Sequence, residues 1–306
     1  MRIFENINYE FIGRRKMGYV ISGVLILVSL VSFAINGLEL GIDFKGGREF
    51  VVETTSPLDV TTVRTALTDV LEFAPEVKTY QYNGAQQLLV RTVVDGDADV
   101  LRNQIIDTIG RTFPEVEPKI EKTYVVSANF AEDMKRGSIY SIIGSLLVIF
   151  VYILIRFEWR FGVGAVAALF HDVIITLGVF SLMQNILGFS LQIDQTIIAA
   201  FLTIVGYSLN DTVVVFDRIR EYTGLFKSEN YENVLNKSIN NTLSRTVVTS
   251  GTTLIVVTVL FIFGGEVLRG FAFALIIGIL IGTYSSVFVA SPVVLELRLR
   301  AAGKRK

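Results

Sequence analysis

The 306-residue sequence contains no cysteine and a single histidine. The first absence excludes disulfides and thiolate metal sites. With one histidine and scattered acids there is no metal-ligand set either, so neither a metal nor a cofactor is expected. No GxxxxGK[ST] stretch is present to cradle a nucleotide phosphate. The chain therefore reads as a non-enzyme, and any work it performs must draw on another energy source. The formal net charge of −1 says little, because the charges are segregated along the chain, and no nucleic-acid partner is expected.

What the chain has in quantity is apolar surface. Hydrophobic residues make up 51% of it, and the mean hydropathy is +0.54, the composition of an integral membrane protein. Apolar runs occur at residues 17–36, 137–154, 161–183, 196–216, 247–263 and 270–295. Each is long enough to cross a hydrocarbon core about 30 Å thick. The first has no small-residue cleavage site, so it is expected to be retained as a span rather than removed as a signal.

Lys and Arg set the orientation. Arg14, Arg15 and Lys16 precede span one; Arg156 and Arg160 lie between spans two and three. Arg218, Arg220, Lys227 and Lys237 lie between spans four and five, and Arg298, Arg300, Lys304, Arg305 and Lys306 close the chain. The opposite loops carry Arg269 alone. Both termini are expected in the cytoplasm. The plan is a cytoplasmic arm at 1–16, span one at 17–36, an external domain at 37–136, spans two to six at 137–297 and a basic tail at 298–306. Residues 222–243 read as a cytoplasmic amphipathic segment, with Leu235, Ile239 and Leu243 recurring every four residues, as in a helix lying on the leaflet.

The external segment holds 11 Lys and Arg against 17 Asp and Glu, a balance of −6. Alternation marks strands at 49–54, 77–82, 87–94 and 119–126, with a hairpin at Asn83-Gly84. Helical spacing marks a segment opening at Ser56-Pro57 and running to about Phe73, and another at 97–112. The order βαββαβ suggests a ferredoxin-like unit.

Four intramembrane or boundary features carry candidate chemistry. Asp211 follows Gly206-Tyr207-Ser208-Leu209-Asn210 on span four, where an ionised carboxylate costs on the order of 2.5–3.5 kcal/mol. It is either a packing device or a handler of protons. Span three contains His171-Asp172. The two point about 100° apart on a helix and are not expected to pair with each other; each is either a structural hydrogen-bonding group or a relay member. Arg245 shares a helical face with Thr249, Thr252 and Thr253, and either snorkels to headgroups or acts on Asp211 across a seam lined by Ser208, Thr249 and Thr252. Gly41, Asp43, Gly46 and Gly47 read either as a membrane-exit turn or as a hinge for the external domain. Span six adds Gly278-xxx-Gly282, a pattern that permits close helix contact.

Residues 40–47, 170–173, 206–221, 244–253 and 268–292, in that order, make the chain similar to the SecF family, the smaller membrane subunits of the SecD/SecF protein-export pair. The resemblance implies a membrane, all-α six-transmembrane bundle, half of an RND-type transporter, with a small α+β ferredoxin-like external domain. It implies a multi-pass protein of the bacterial inner membrane that uses the proton-motive force to assist late stages of export. The implied partners are SecD, a SecY-type translocon and other Sec accessory proteins, the unfolded exported polypeptide, the lipid bilayer and protons. The family's span-four acid falls on Asp211 and its span-five arginine on Arg245, both linked there to proton passage. Two rivals remain. One is half of an RND-type small-molecule or lipid transporter, against which the short external domain counts. The other is a non-catalytic assembly subunit in which Asp211 and Arg245 form a static bridge.

Overall fold

The computed structural model describes residues 8–82, 85–93, 97–184 and 186–303. In chain order it forms α1 (Arg15–Asn36), a single turn α2 (Ile42–Lys45), β1 (Gly47–Glu53), α3 (Val60–Leu71), β2 (Glu76–Tyr82), β3 (Ala85–Thr92), α4 (Ala98–Thr112) and β4 (Lys119–Val126). The rest is helical: α5 (Ala128–Arg156), α6 (Trp159–Met183), α7 (Gln195–Leu225), α8 (Tyr231–Phe263), α9 (Gly265–Ser285), a π-helical turn (Ser286–Ala290) and α10 (Ser291–Gly303). Residues 1–7 of the arm, Asn83-Gly84, Val94 and Lys304-Arg305-Lys306 lie outside the described residues.

Among the described residues six helices are long and apolar enough to span: α1, α5, α6, α7, α8 and the continuous α9–α10. Helices meet this demand because all their backbone bonds close within the segment. The external domain is a βαββαβ unit with an antiparallel sheet in the order β2-β3-β1-β4, the split arrangement expected of a ferredoxin-like fold. Phe50, Val52, Leu67, Leu88, Ile105 and Ile109 fill its core. Helix α3 begins at Val60 rather than near Ser56-Pro57, because Asp59 caps it by accepting from Thr62 N at 2.8 Å.

The apolar packing of the bundle falls into two cores. One contains Ala165, Ala168, Val215, Phe216 and Val287; the other contains Phe180, Ile204, Val257 and Ile279. On α6, α7 and α9 the residues between these cores are polar and buried: His171 and Asp172, Ser208 and Asp211, and Ser285. A polar layer thus crosses the bundle between two greasy ones.

The expected flat cytoplasmic helix at residues 222–243 does not exist as such. Residues 222–225 end α7, and Tyr231 to Leu243 form the first turns of the continuous α8. Its apolar positions Leu235 and Ile239 are buried in the bundle core with Ile12, Phe216 and Ile219 rather than in lipid, and the asparagines beside them hold the amino-terminal arm. Asn236 Oδ1 accepts from Phe11 N at 2.8 Å, and the Asn240 side chain both accepts from Tyr9 N and donates to Tyr9 O at 2.9 Å. The Gly278/Gly282 pair is likewise used inside the chain. A Cβ at Gly278 would overlap Ile204, and one at Gly282 would lie 2.9 Å from Ser208 Cβ, so the close approach is between α9 and α7.

Four contacts tie the external domain to the start of α7. Gly41 N donates to Ile193 O at 2.9 Å, and Ile193 N to Glu39 O at 2.7 Å. Asp43 Oδ2 accepts from Gln195 N at 3.1 Å, at the positive end of α7. Lys78 on β2 bridges Glu76 at 2.7 Å and Asp194, the α7 cap, at 3.2 Å. Of the four segment residues singled out as a hinge, Gly46 and Gly47 adopt φ of 77° and 149°, and a Cβ at Gly47 would collide with Thr92 O. Gly41, at φ −71°, needs no glycine for its backbone. In this conformation the segment is anchored on both sides.

Candidate functional site

The polar layer converges on two carboxylates. Asp172 on α6 is 1% exposed. Its Oδ2 accepts from Ser208 Oγ on α7 at 2.5 Å and from Ser285 Oγ on α9 at 2.8 Å. Its Oδ1 lies 2.9 Å from His171 Nδ1. The adjacent pair therefore does bond, against expectation. Backbone directions 100° apart do not prevent it, because the long imidazole swings back over the short carboxylate. His171 Nε2 lies 3.0 Å from Ser22 Oγ on α1, and Ser22 lies 3.2 Å from the Tyr284 hydroxyl, which donates to Gly18 O at 2.8 Å.

Asp211 on α7 is 3% exposed. Ser250 Oγ on α8 donates to its Oδ2 at 3.1 Å, and Thr283 Oγ1 on α9 donates to Ser250 at 2.8 Å. Among the described residues no cation forms an ion pair with Asp211. Arg245 is exposed; with Asn210, Asp217, Arg218, Glu221 and Thr242 it lines a polar cleft of about 510 Å³ between α7 and α8. The static Asp211–Arg245 bridge is absent, and any influence of Arg245 acts across that cleft.

The expected seam is also redrawn. Ser208 serves Asp172 rather than Asp211. Thr249 and Thr252 turn their hydroxyls back to Arg245 O and Val248 O on their own helix, and Thr253 receives Tyr207 OH at 3.2 Å. The group that reaches Asp211 is Ser250, one position from the chosen face. Helical-face counting also missed Ser22, Thr283, Tyr284 and Ser285. The signal for the last three was visible in Thr283-Tyr284-Ser285-Ser286, four hydroxyl side chains in succession inside an otherwise apolar span. Thr283 serves the Asp211 group, Tyr284 the His171 chain and Ser285 the Asp172 carboxylate. The neighbouring π-helical turn has a local cause. Pro292 has no N–H and its ring crowds the carbonyl four residues back, and Ser291 Oγ donates to Ser286 O at 2.9 Å in the widened turn.

No group of three or more metal-ligating residues occurs among the described residues. The arrangement can hold or pass protons on carboxylates that are shielded from water and supplied only with hydroxyl and imidazole partners.

Residues 106–300 match the family described as protein export membrane protein SecD/SecF, C-terminal, and residues 31–57 match the SecD/SecF GG motif, which includes Gly46 and Gly47. The protein translocase subunit SecF of Rhodothermus marinus is 66% identical over 306 residues, covering 100% of this chain and 98% of its own length. That of Petrotoga mobilis is 39% identical over 305 residues, covering 98% and 99%. A crystal structure of SecDF in a super-membrane-facing form superposes with a TM-score of 0.76 at 33% identity, covering 99% of this chain and 40% of that one. SecDF from Thermus, described as a translocon-associated membrane protein, gives 0.77 at 32%, covering 96% and 39%. The chain thus spans nearly all of its SecF relatives and about 40% of the SecDF chains. It belongs to the SecD/SecF family of protein export membrane proteins, in the SecF branch.

Proposed function

We propose that this chain is the smaller membrane subunit of a protein-export complex and that it uses the proton-motive force to assist late stages of translocation. It works with a SecD-type partner beside a SecY-type channel, in the bacterial inner membrane. Both termini are cytoplasmic, and the external domain meets the unfolded polypeptide on the trans side.

The observation that carries this reading is the pair of carboxylates, Asp172 and Asp211, buried between two apolar cores with hydroxyl and imidazole partners only. A charge there is expensive unless it is used. A proton reaching Asp211 from the trans side neutralises it and weakens the bond that Ser250 gives. The Thr283–Ser250 link passes that change to α9. One elementary charge moving through 100 mV carries about 2.3 kcal/mol, comparable with the gap between two helix packings. Because the α7 start is tied to the external domain through Asp43, Asp194 and Lys78, a shift of α7 moves that domain about the Gly41–Gly47 segment. Arg245, in the cleft on the Arg218 side, biases Asp211 electrostatically. A SecF–SecD complex in proteoliposomes tests this reading. Asp211→Asn should abolish proton flux and gradient-driven export while leaving the complex folded; undiminished flux would refute the assignment.

A further inference from the structure

The hydrogen-bonded chain from Gly18 to Asp172 has a proton count that its geometry dictates. Tyr284 has one hydroxyl hydrogen, and it goes to Gly18 O, which can only accept. The Ser22–Tyr284 contact at 3.2 Å then requires Ser22 to donate. With its hydrogen committed, Ser22 can only accept from His171, so Nε2 must carry a proton. The remaining contact, His171 Nδ1 to Asp172 Oδ1 at 2.9 Å, still needs a hydrogen, on Nδ1 or on the carboxyl. The complete chain therefore exists only when the His171–Asp172 pair holds two protons between them. In that state the pair is neutral overall, as imidazolium with carboxylate or as imidazole with carboxylic acid, and neutrality suits its depth in the membrane.

When one proton leaves, the pair becomes imidazole with carboxylate. The hydrogen on Nδ1 points at Asp172, Nε2 becomes an acceptor, and Ser22 must turn its hydroxyl from Tyr284 to His171. With the Tyr284 hydrogen kept on Gly18 O, the Ser22–Tyr284 link between α1 and α9 is lost in that turn.

We infer that Ser22 and Tyr284 are positioning residues that set the protonation of the His171–Asp172 pair, so that loading or releasing one proton makes or breaks a side-chain tie between α1 and α9. The inference deepens the proton-handling reading and rests on it only in requiring that the pair exchange a proton. Tyr284 stacks on His171, ring centroids 6.0 Å apart at 25°, and on Phe288 at 5.1 Å, which holds its hydroxyl in place. The groups facing the pair from its neighbours are Ser208 from α7, Ser285 and Tyr284 from α9 and Ser22 from α1. On α7, Asp211 bonds Ser250 instead. Neither α1 nor α5 has a charged residue within 17–36 or 137–155, so Asp172 is the charged partner of His171.

His171 is the only histidine in the sequence, so the test has a single signal. The full chain, purified without a polyhistidine tag and labelled with 15N-histidine, is placed in lipid bilayers and its two ring nitrogens are followed by solid-state NMR from pH 5 to pH 9. Nε2 should be protonated at the acid end and unprotonated at the alkaline end. Tyr284→Phe removes the Ser22–Tyr284 bond, made only in the proton-loaded state. Ser22→Ala removes that bond together with the Ser22–His171 bond of both states, a net loss on the loaded side. Each should therefore lower the midpoint by roughly 0.5–1 pH unit. Ser22→Thr should restore the wild-type value. An Nε2 signal that does not change across the range, or a midpoint that neither variant moves, would overturn the inference. Either result leaves the Asp211→Asn flux experiment standing separately.

Discussion

At the scale of single residues the two acids make different demands. Asp172 accepts from Ser208 and Ser285 and pairs with His171, whereas the bonds that anchor Asp211 come through Ser250 and Thr283. Removing Asp172 altogether strands several buried donors, each costing about 1–3 kcal/mol when unsatisfied. Asp172→Ala should therefore lower thermal stability by about 2–4 kcal/mol in a detergent melt. Asp211→Asn keeps shape and an accepting oxygen and should melt within about 1 kcal/mol of wild type while losing proton flux. Arg245→Met, which keeps most of the stem but not the charge, should give the same loss of flux. The double variant should be no worse than either alone, because both act in one step. A double variant with clearly additive defects would separate Arg245 from the Asp211 step.

At the scale of elements, the tie between β2 and α7 makes a testable unit. Burial alone would lower the Lys78 pKa, but Glu76 and then Asp194 outweigh it and hold the ammonium above its ordinary range. A raised lysine pKa contributes stability that is fully present below the unfolded-state value of about 10.4 and fades as pH rises through the folded value. Docking of the external domain should thus persist through neutral pH and loosen only in strong alkali. Lys78→Met leaves Asp194 without a cation and Glu76 with Arg91 alone at 3.4 Å, a loss of about 3–5 kcal/mol for a buried pair broken on one side. Hydrogen exchange in β2 and across residues 190–197 should rise together in that variant; exchange confined to β2 would mean the bridge does not dock the domain. Glu39 is a counter-case: burial raises its pKa, against Lys45 and Arg64. Glu39→Gln should accordingly leave docking intact or firmer at neutral pH. The elements were largely legible in the sequence: apolar run length gave six helices, and period-two alternation gave the four strands in order. Where that reading failed, the cause was a partner that periodicity cannot see. Leu235 and Ile239 repeat every four residues whether lipid or the bundle core covers them. Thr249 and Thr252 lie on a plausible face, yet their hydroxyls are taken by their own backbone.

At the scale of the whole molecule, the proposed SecD-type partner needs a surface to pack on. The GxxxG pair on α9 is not available, because Gly278 and Gly282 already press against Ile204 and Ser208. The outer face of α7 offers an alternative. Thr203, Gly206 and Asn210 are exposed there at spacings of three and four, which places them on one helical face. Gly206 has no atom of this chain within 4 Å of a Cβ position, and neither has Gly251 on the adjoining α8. An amide such as Asn210, at the edge of the Arg245 cleft, is costly where lipid covers it, whereas a small-residue face with one polar group suits a second helix. The SecD-type partner is therefore expected to pack on α7, beside the cleft that holds Arg245. Orientation is checked first: cysteines at Asp97 and Lys227 should label from opposite sides of the membrane, Asp97 from outside. Two substitutions then separate the surfaces. Gly278→Leu drives a side chain into Ile204 and should lower the melting temperature of the isolated chain, since overpacking costs about 1–3 kcal/mol. Gly206→Leu meets open space and should leave that melting temperature unchanged, yet it should release the partner during purification in mild detergent and abolish flux with it. If Gly206→Leu retains the partner while Leu147→Arg on the outer face of α5 loses it, the heterodimer forms on α5 and the exposed Asn210 needs another explanation.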